Sequence, residues 1–165
     1  MLKKIGIGLG VLIVLGAIFG ESENGTSNTS KSKEPAKEYF LGDTVTTDYF
    51  NFTVEEVSTP ASLGEYSDPA GTGNMYVRIK LLAENTNNEA RSFSSGTLYG
   101  FMNDKEFMFD TSEFVMSDGY HAFDSLNPLV STSGWIVFKV SDKFDVSQMQ
   151  YELPRSDLRV NLRQN

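Results

Sequence analysis

From Met75 to Glu84 the side chains alternate. Met75, Val77, Ile79, Leu81 and Ala83 fall on one parity, and Tyr76, Arg78, Lys80, Leu82 and Glu84 on the other. A helix would scatter those five apolar residues around its circumference. Only an extended strand, with a side-chain period of two, gathers them on one face. That face has to be covered, so the segment requires a second layer of structure.

The same period recurs along the chain. Within Asp43–Val57, Phe50, Phe52 and Val54 oppose Asn51, Thr53 and Glu55, and Val57 breaks the parity. The break predicts a β-bulge or a strand end near Glu55–Glu56. Gly134–Val140 sets Ile136, Phe138 and Val140 against Trp135, Val137 and Lys139. Gln148–Leu153, with Met149, Tyr151 and Leu153, and Leu158–Leu162, with Leu158, Val160 and Leu162, read the same way. Arg159 and Arg163 then point outward and are expected to guard a sheet edge. Ser92–Met102 and Glu106–Asp110 form two more strands joined through Asn103-Asp104-Lys105, a hairpin turn without glycine. Phe101 is expected to pack across that hairpin onto Phe107 or Phe109.

Between the strands, Thr59–Asn74 holds two prolines and three glycines and reads as a long surface loop, while Thr111–Pro128 is irregular. About seven strands with no amphipathic helix and no internal repeat predict an all-β protein, an antiparallel β-sandwich over residues 39–165.

Particular segments carry a resemblance. They are Leu41-Gly42-Asp43-Thr44-Val45, the strand Met75–Ala83 running on through Glu84-Asn85-Thr86, Leu126-Asn127-Pro128, Ser133-Gly134-Trp135-Ile136-Val137-Phe138-Lys139-Val140, and Met149-Gln150-Tyr151. Together they resemble a family of bacterial exported immunoglobulin-like domains of unknown function, related in fold to the mycobacterial immunoprotective extracellular antigen. The likeness covers most of residues 41–153. It implies an immunoglobulin-like sandwich behind an N-terminal lipoprotein signal or membrane segment, and it implies no catalytic residues. That family commonly has glycine after the proline, where this chain has Leu129. Read from the residues alone, Asn85 ends its strand by adopting positive φ or by bonding its own backbone, and Gly134 makes room where the Trp135 indole crosses a neighbour.

Ahead of the domain, Lys3 and Lys4 precede sixteen residues, Ile5 to Gly20, without a charge. As a helix this run would be roughly 24 Å long. Positive charge followed by an apolar run is an export signal that keeps its charged end in the cytoplasm. Phe19 spoils cleavage after Ala17-Ile18-Phe19, whereas Gly20-Glu21-Ser22 would pass on size. Residues 1–20 are therefore expected to be an uncleaved anchor, single-pass with the C-terminal domain outside, the alternative being a cleaved signal peptide and a secreted protein. Without cysteine, attachment through a lipidated N-terminal cysteine is excluded. Residues 21–38 have no large apolar side chain and are expected to form a disordered polar linker, reaching about 25 Å.

Residues 39–165 contain nine Lys/Arg against eighteen Asp/Glu, a net charge of −9. Such a surface repels nucleic acid. The absence of cysteine means that the core alone must hold an exported domain. His121 is the only histidine, and no Gly-x-Ser-x-Gly elbow accompanies it beside Asp118 or Asp124. Asp104/Glu106/Asp110 and Asp118/Asp124 are candidate oxygen clusters for calcium, though neither has the loop spacing of a calcium site. The expectation is a non-enzymatic interaction module without cofactor or metal, meeting a protein partner at the cell surface or envelope through a sheet face or the 59–74 loop. A small-molecule or calcium-binding sensor is the alternative; it would need a concave aromatic pocket, for which Tyr66, Tyr76, Tyr99 and Tyr120 are candidates. A hydrolase built on a carboxylate pair ranks last, because a small sandwich seldom offers the cleft.

Overall fold

The computed structural model describes residues 37–63, 69–111 and 125–165. The apolar run Ile5–Gly20, nearly all of the linker, Tyr66, Tyr120, His121, Asp118 and Asp124 lie outside the described residues. Among the described residues no helix is long and apolar enough to cross a membrane.

Among the described residues, nine strands form two sheets. β2 (Thr44–Thr46), β3 (Phe50–Ser58), β4 (Asn74–Asn85) and β7 (Ser131–Ser141) make a four-stranded antiparallel sheet in that order. The other sheet is β1-β9-β8-β5-β6, built from β1 (Tyr39–Phe40), β9 (Arg159–Asn161), β8 (Gln150–Glu152), β5 (Thr97–Met102) and β6 (Lys105–Phe109). A 3-10 turn, Val146–Gln148, precedes β8, with the Asp145 carboxylate accepting from the Ser147 N–H.

One apolar cluster lies between the sheets. Phe52, Val54, Val77, Ile79, Leu81, Ile136 and Phe138 come from the four-stranded sheet, and Leu98, Tyr151 and Val160 from the other. The sandwich expected from the alternating pattern is therefore present, with the inner parities as read. The anticipated bulge is also present. Pairing of β3 with β4 slips between Val54 and Glu56, so that Val54 stands opposite Leu81 and Val57 opposite Ile79. The extra residue keeps Val57 on the core side, which resolves the parity break.

Several expectations need correction. The described residues hold nine strands rather than about seven, because β1 and β2 are too short to show an alternation. The sandwich is not wholly antiparallel, since β1 runs parallel to β9. The switch from β1 to β2 turns at Gly42 (φ 93°), with the Asp43 carboxylate accepting from the Phe40 N–H. Because β1 covers β9, Arg159 does not guard an edge. The Phe101 packing also fails. Asn103 and Asp104 both adopt positive φ (51° and 59°), forming a two-residue turn that sets Phe101 opposite Glu106 and Phe107 opposite Gly100. Phe107 and Phe109 instead meet Phe144 edge to face, at 5.4 and 5.2 Å between ring centroids. Gly100 makes room there: a Cβ at that position would lie 2.8 Å from the Phe144 ring.

Leu129 is held at φ 60° and is 80% exposed. A leucine in the left-handed region costs roughly 1–2 kcal/mol, whereas glycine avoids that cost and loses about 0.5–1 kcal/mol of chain entropy. Leu129→Gly is expected to raise unfolding stability by roughly 0.5–1 kcal/mol, seen as a higher urea midpoint with unchanged slope. A lower midpoint would mean that the exposed side chain contributes packing the structure does not reveal.

Candidate functional site

Side chains with chemistry gather on the two outer faces of the sandwich. On the five-stranded sheet, Arg159 lies over the Tyr99 ring, its guanidinium carbon 3.6 Å from the centroid. The same guanidinium donates to Glu106 at 2.7 Å and to Glu152 at 3.2 Å. Strand pairing explains the assembly. Thr97 opposite Glu152 opposite Arg159 forms one cross-strand row, and Tyr99 lies one step along the same face. Burial, then the neighbouring Glu152 charge, raises the Tyr99 phenol above its ordinary value. For Arg159, burial lowers the pKa, but its hydrogen bonds to the Glu106 and Glu152 carboxylates more than reverse it. The group is an ion-pair network in which one cation is shared between two carboxylates.

Beside it lies an edge. β6 is the last strand of its sheet among the described residues, and its hairpin exposes Phe101 (37%), Phe107 (40%) and Met108 (62%). Phe101 and Met108 share the outer face with Tyr99, while Phe107 sits at the inner rim. Phe101 and Met108, diagonal neighbours on the outer face, and Phe107 on the inner rim leave this edge apolar on both of its faces.

On the four-stranded sheet, Arg78 of β4 lies over Trp135 of β7, 3.9 Å from the ring centroid. Lys80 stands directly opposite Trp135 and pairs with Glu55 at 3.2 Å, and Ser133 donates to the same carboxylate. Farther along this face Tyr76 and Val137 are buried with Ala70, and Leu63 packs against them, so the outer side carries a small apolar cluster under the 59–74 loop.

The proposed tyrosine pocket does not form. Tyr76 and Tyr99 occupy opposite outer faces of the sandwich, with the core between them, and Tyr66 and Tyr120 lie outside the described residues. Concavities among the described residues lie elsewhere: between Thr46–Asp48 and Arg155–Leu158, and beside Thr59–Ala61 and Pro69–Met75. Nor do Asp104, Glu106 and Asp110 converge. Asp104 and Asp110 flank β6 at its two ends, about 20 Å apart at the rise of a strand, and Glu106 is engaged by Arg159. The Arg78–Trp135 and Arg159–Tyr99 stacks were not found in the sequence. Each joins residues more than fifty positions apart, and only the strand register brings them together.

Two solved bacterial structures share this fold. An uncharacterised β-sandwich protein from Clostridium difficile 630 superposes with a TM-score of 0.52 at 17% identity, covering 78% of this chain and 95% of that one. A conserved hypothetical protein from Bacillus anthracis gives 0.50 at 16% identity, covering 73% of this chain and 96% of that one. No curated protein sequence matches. Residues 39–158 match the family described as Domain of unknown function (DUF4352), and the chain belongs to that family.

Proposed function

We propose that this chain is an extracytoplasmic, non-enzymatic protein-binding module, held at the cell membrane by its N-terminal segment and binding through the β6 edge. The location rests on Lys3-Lys4 followed by the uncharged run Ile5–Gly20. On the same reading the sandwich is immunoglobulin-like, a view supported by its two-sheet order and by the pairing of its first strand with its last, while its kinship with the mycobacterial antigen rests on the resemblance of the quoted segments alone. The acidic domain does not take nucleic acid.

The observation that carries the binding reading is the exposed apolar edge. In a two-residue hairpin Met102 and Lys105 form the first hydrogen-bonded pair, so Glu106 and Met108 turn their N–H and C=O groups away from β5. An extended segment can add there as a sixth strand. A second copy of β6 is a poor candidate. Antiparallel self-pairing centred on Met108 sets Glu106 against Asp110, and centring on Phe107 sets Asp104 against Asp110. Like charges directly opposite are destabilising. The partner is therefore an extended segment of another protein with neutral or basic side chains facing this row.

A photocrosslinking residue at position 108 of the full chain, in intact cells, is expected to give one discrete adduct. Phe101→Asp should abolish it, and a probe at Glu56 on the opposite sheet should not produce it. The same adducts from both positions, or none from position 108, would overturn the reading.

A further inference from the structure

Among the described residues, three half-buried arginines lie on aromatic rings. Arg91 covers Tyr49 at 4.7 Å, Arg159 covers Tyr99 at 3.6 Å and Arg78 covers Trp135 at 3.9 Å. The first two stacks are completed by a carboxylate of the protein itself: Glu89 lies 2.9 Å from Arg91, and Glu106 lies 2.7 Å from Arg159. No carboxylate of the described residues pairs with Arg78, which sets it apart from the other two, and its Nε, like that of Arg91, is buried without a hydrogen-bond partner. A buried guanidinium nitrogen left unsatisfied is costly, and stacking on an indole does not supply the missing acceptor.

The surroundings favour an anion. Lys139 stands opposite Tyr76, one step along the same face from the Arg78–Val137 pair, and Lys80 stands one step the other way, opposite Trp135. Three of the nine cations of an acidic domain thus occupy neighbouring positions on one sheet face. Only Lys80 has a carboxylate, Glu55, within ion-pair distance among the described residues. The planar guanidinium fork matches a planar carboxylate, two parallel donors meeting two oxygens.

We propose that Arg78, lying on Trp135 and flanked by Lys139, is a recognition site for a carboxylate, carried on an acidic peptide segment. Arg78 supplies the paired donors, Trp135 the platform, and Lys139 a second charge for a neighbouring carboxylate. The site lies on the opposite sheet from β6, so the outcome of the crosslinking experiment does not decide it.

Trp135 is the only tryptophan of the chain, so its fluorescence reports on this site alone. The full chain in neutral detergent is titrated with N-acetyl tetraglutamate, with glutarate and with inorganic phosphate. A saturable change with the peptide is expected, at concentrations about tenfold below those needed for glutarate. Arg78→Gln should weaken the peptide response about tenfold or more, and Lys139→Gln about threefold. Arg78→Lys keeps the charge but loses the fork, so it should also lose most of the response. No saturable change in the unaltered chain would overturn the proposal. So would an equal response in Arg78→Lys, glutarate binding as tightly as the peptide, or tighter binding of phosphate.

Discussion

Alanine at position 96 is expected to destabilise the domain by about 2–5 kcal/mol, from a single added methyl group. Gly96 enters β5 at φ 70°. A Cβ there would collide with the Glu152 carbonyl oxygen and lie 2.6 Å from the Tyr151 hydroxyl and 2.8 Å from its ring. Neither obstacle can yield easily. Glu152 belongs to β8, which is paired on both sides, with Thr97 opposite Glu152 on β5 and Arg159 opposite it on β9. Tyr151 is fully buried, donates to the Ser95 carbonyl at 2.6 Å and meets Phe138 of the facing sheet at 6.2 Å. Overpacking costs about 1–3 kcal/mol, and a left-handed alanine about 1–2 more. Gly42→Ala isolates the second effect, because Gly42 has φ 93° with nothing within 4 Å of a Cβ. It should lose only about 1–2 kcal/mol. Denaturant midpoints for the two variants separate the causes; a Gly96→Ala loss no larger than that of Gly42→Ala would mean that β8 shifts freely, contrary to its pairing.

The parts of this fold that the sequence revealed are those where one residue's burial dictates the next. β3, β4 and β7 are long enough for alternation to mark the inner face, and the bulge at Glu55–Glu56 follows from the single out-of-phase Val57. Val137 shows where the logic thins. It is buried on the outer face, because a loop covers that side, so burial at this position does not mean inward. β1 and β2 have two and three residues, too few for any period, and β1 pairs with a strand some 120 positions later. The functional faces were harder still. Arg78 and Trp135 were both visible as outward residues, but their contact depends on the β4–β7 register, in which Lys80 faces Trp135 and Val137 faces Arg78. The tyrosine pocket failed for the same reason: Tyr76 and Tyr99 are each outward on their own strand, but the strands belong to different sheets. A residue's parity can be read along the chain. Its sheet partner cannot.

Asn85 is where that local reading becomes a long-range one, and its replacement by leucine is expected to cost about 3–5 kcal/mol. The sequence pointed to a strand end at which the side chain bonds its own backbone. The structure bears this out, since its Oδ1 accepts from the Asn87 N–H at 2.9 Å. Its Nδ2 does more, donating to the Glu89 carbonyl at 2.8 Å and to the Leu126 carbonyl, forty-one positions away, at 2.7 Å. The Asn85 backbone pairs with the same distant segment, donating to the Val130 carbonyl and accepting from the Leu129 N–H. The residue is fully buried, so Asn85→Leu fills the space but strands two backbone groups, the Asn87 N–H and the Glu89 carbonyl, each worth about 1–3 kcal/mol when unsatisfied, and leaves the Leu126 carbonyl with the Arg91 N–H alone. Asn51→Ala, which removes a part-buried bond to Glu84, should lose about 1 kcal/mol or less. Asn85→Asp sharpens the test. It keeps the Oδ1 acceptor but turns a carboxylate toward two carbonyls, so the introduced carboxyl titrates higher when folded than when unfolded. Its penalty is therefore greatest above the folded pKa and shrinks as the pH falls through it, where the protonated group regains one donor. Urea unfolding at neutral and mildly acidic pH reads both effects. An Asn85→Leu loss below about 1 kcal/mol would show that water can satisfy the turn, and the Asn85 side chain would not be what joins the end of β4 to the segment leading into β7.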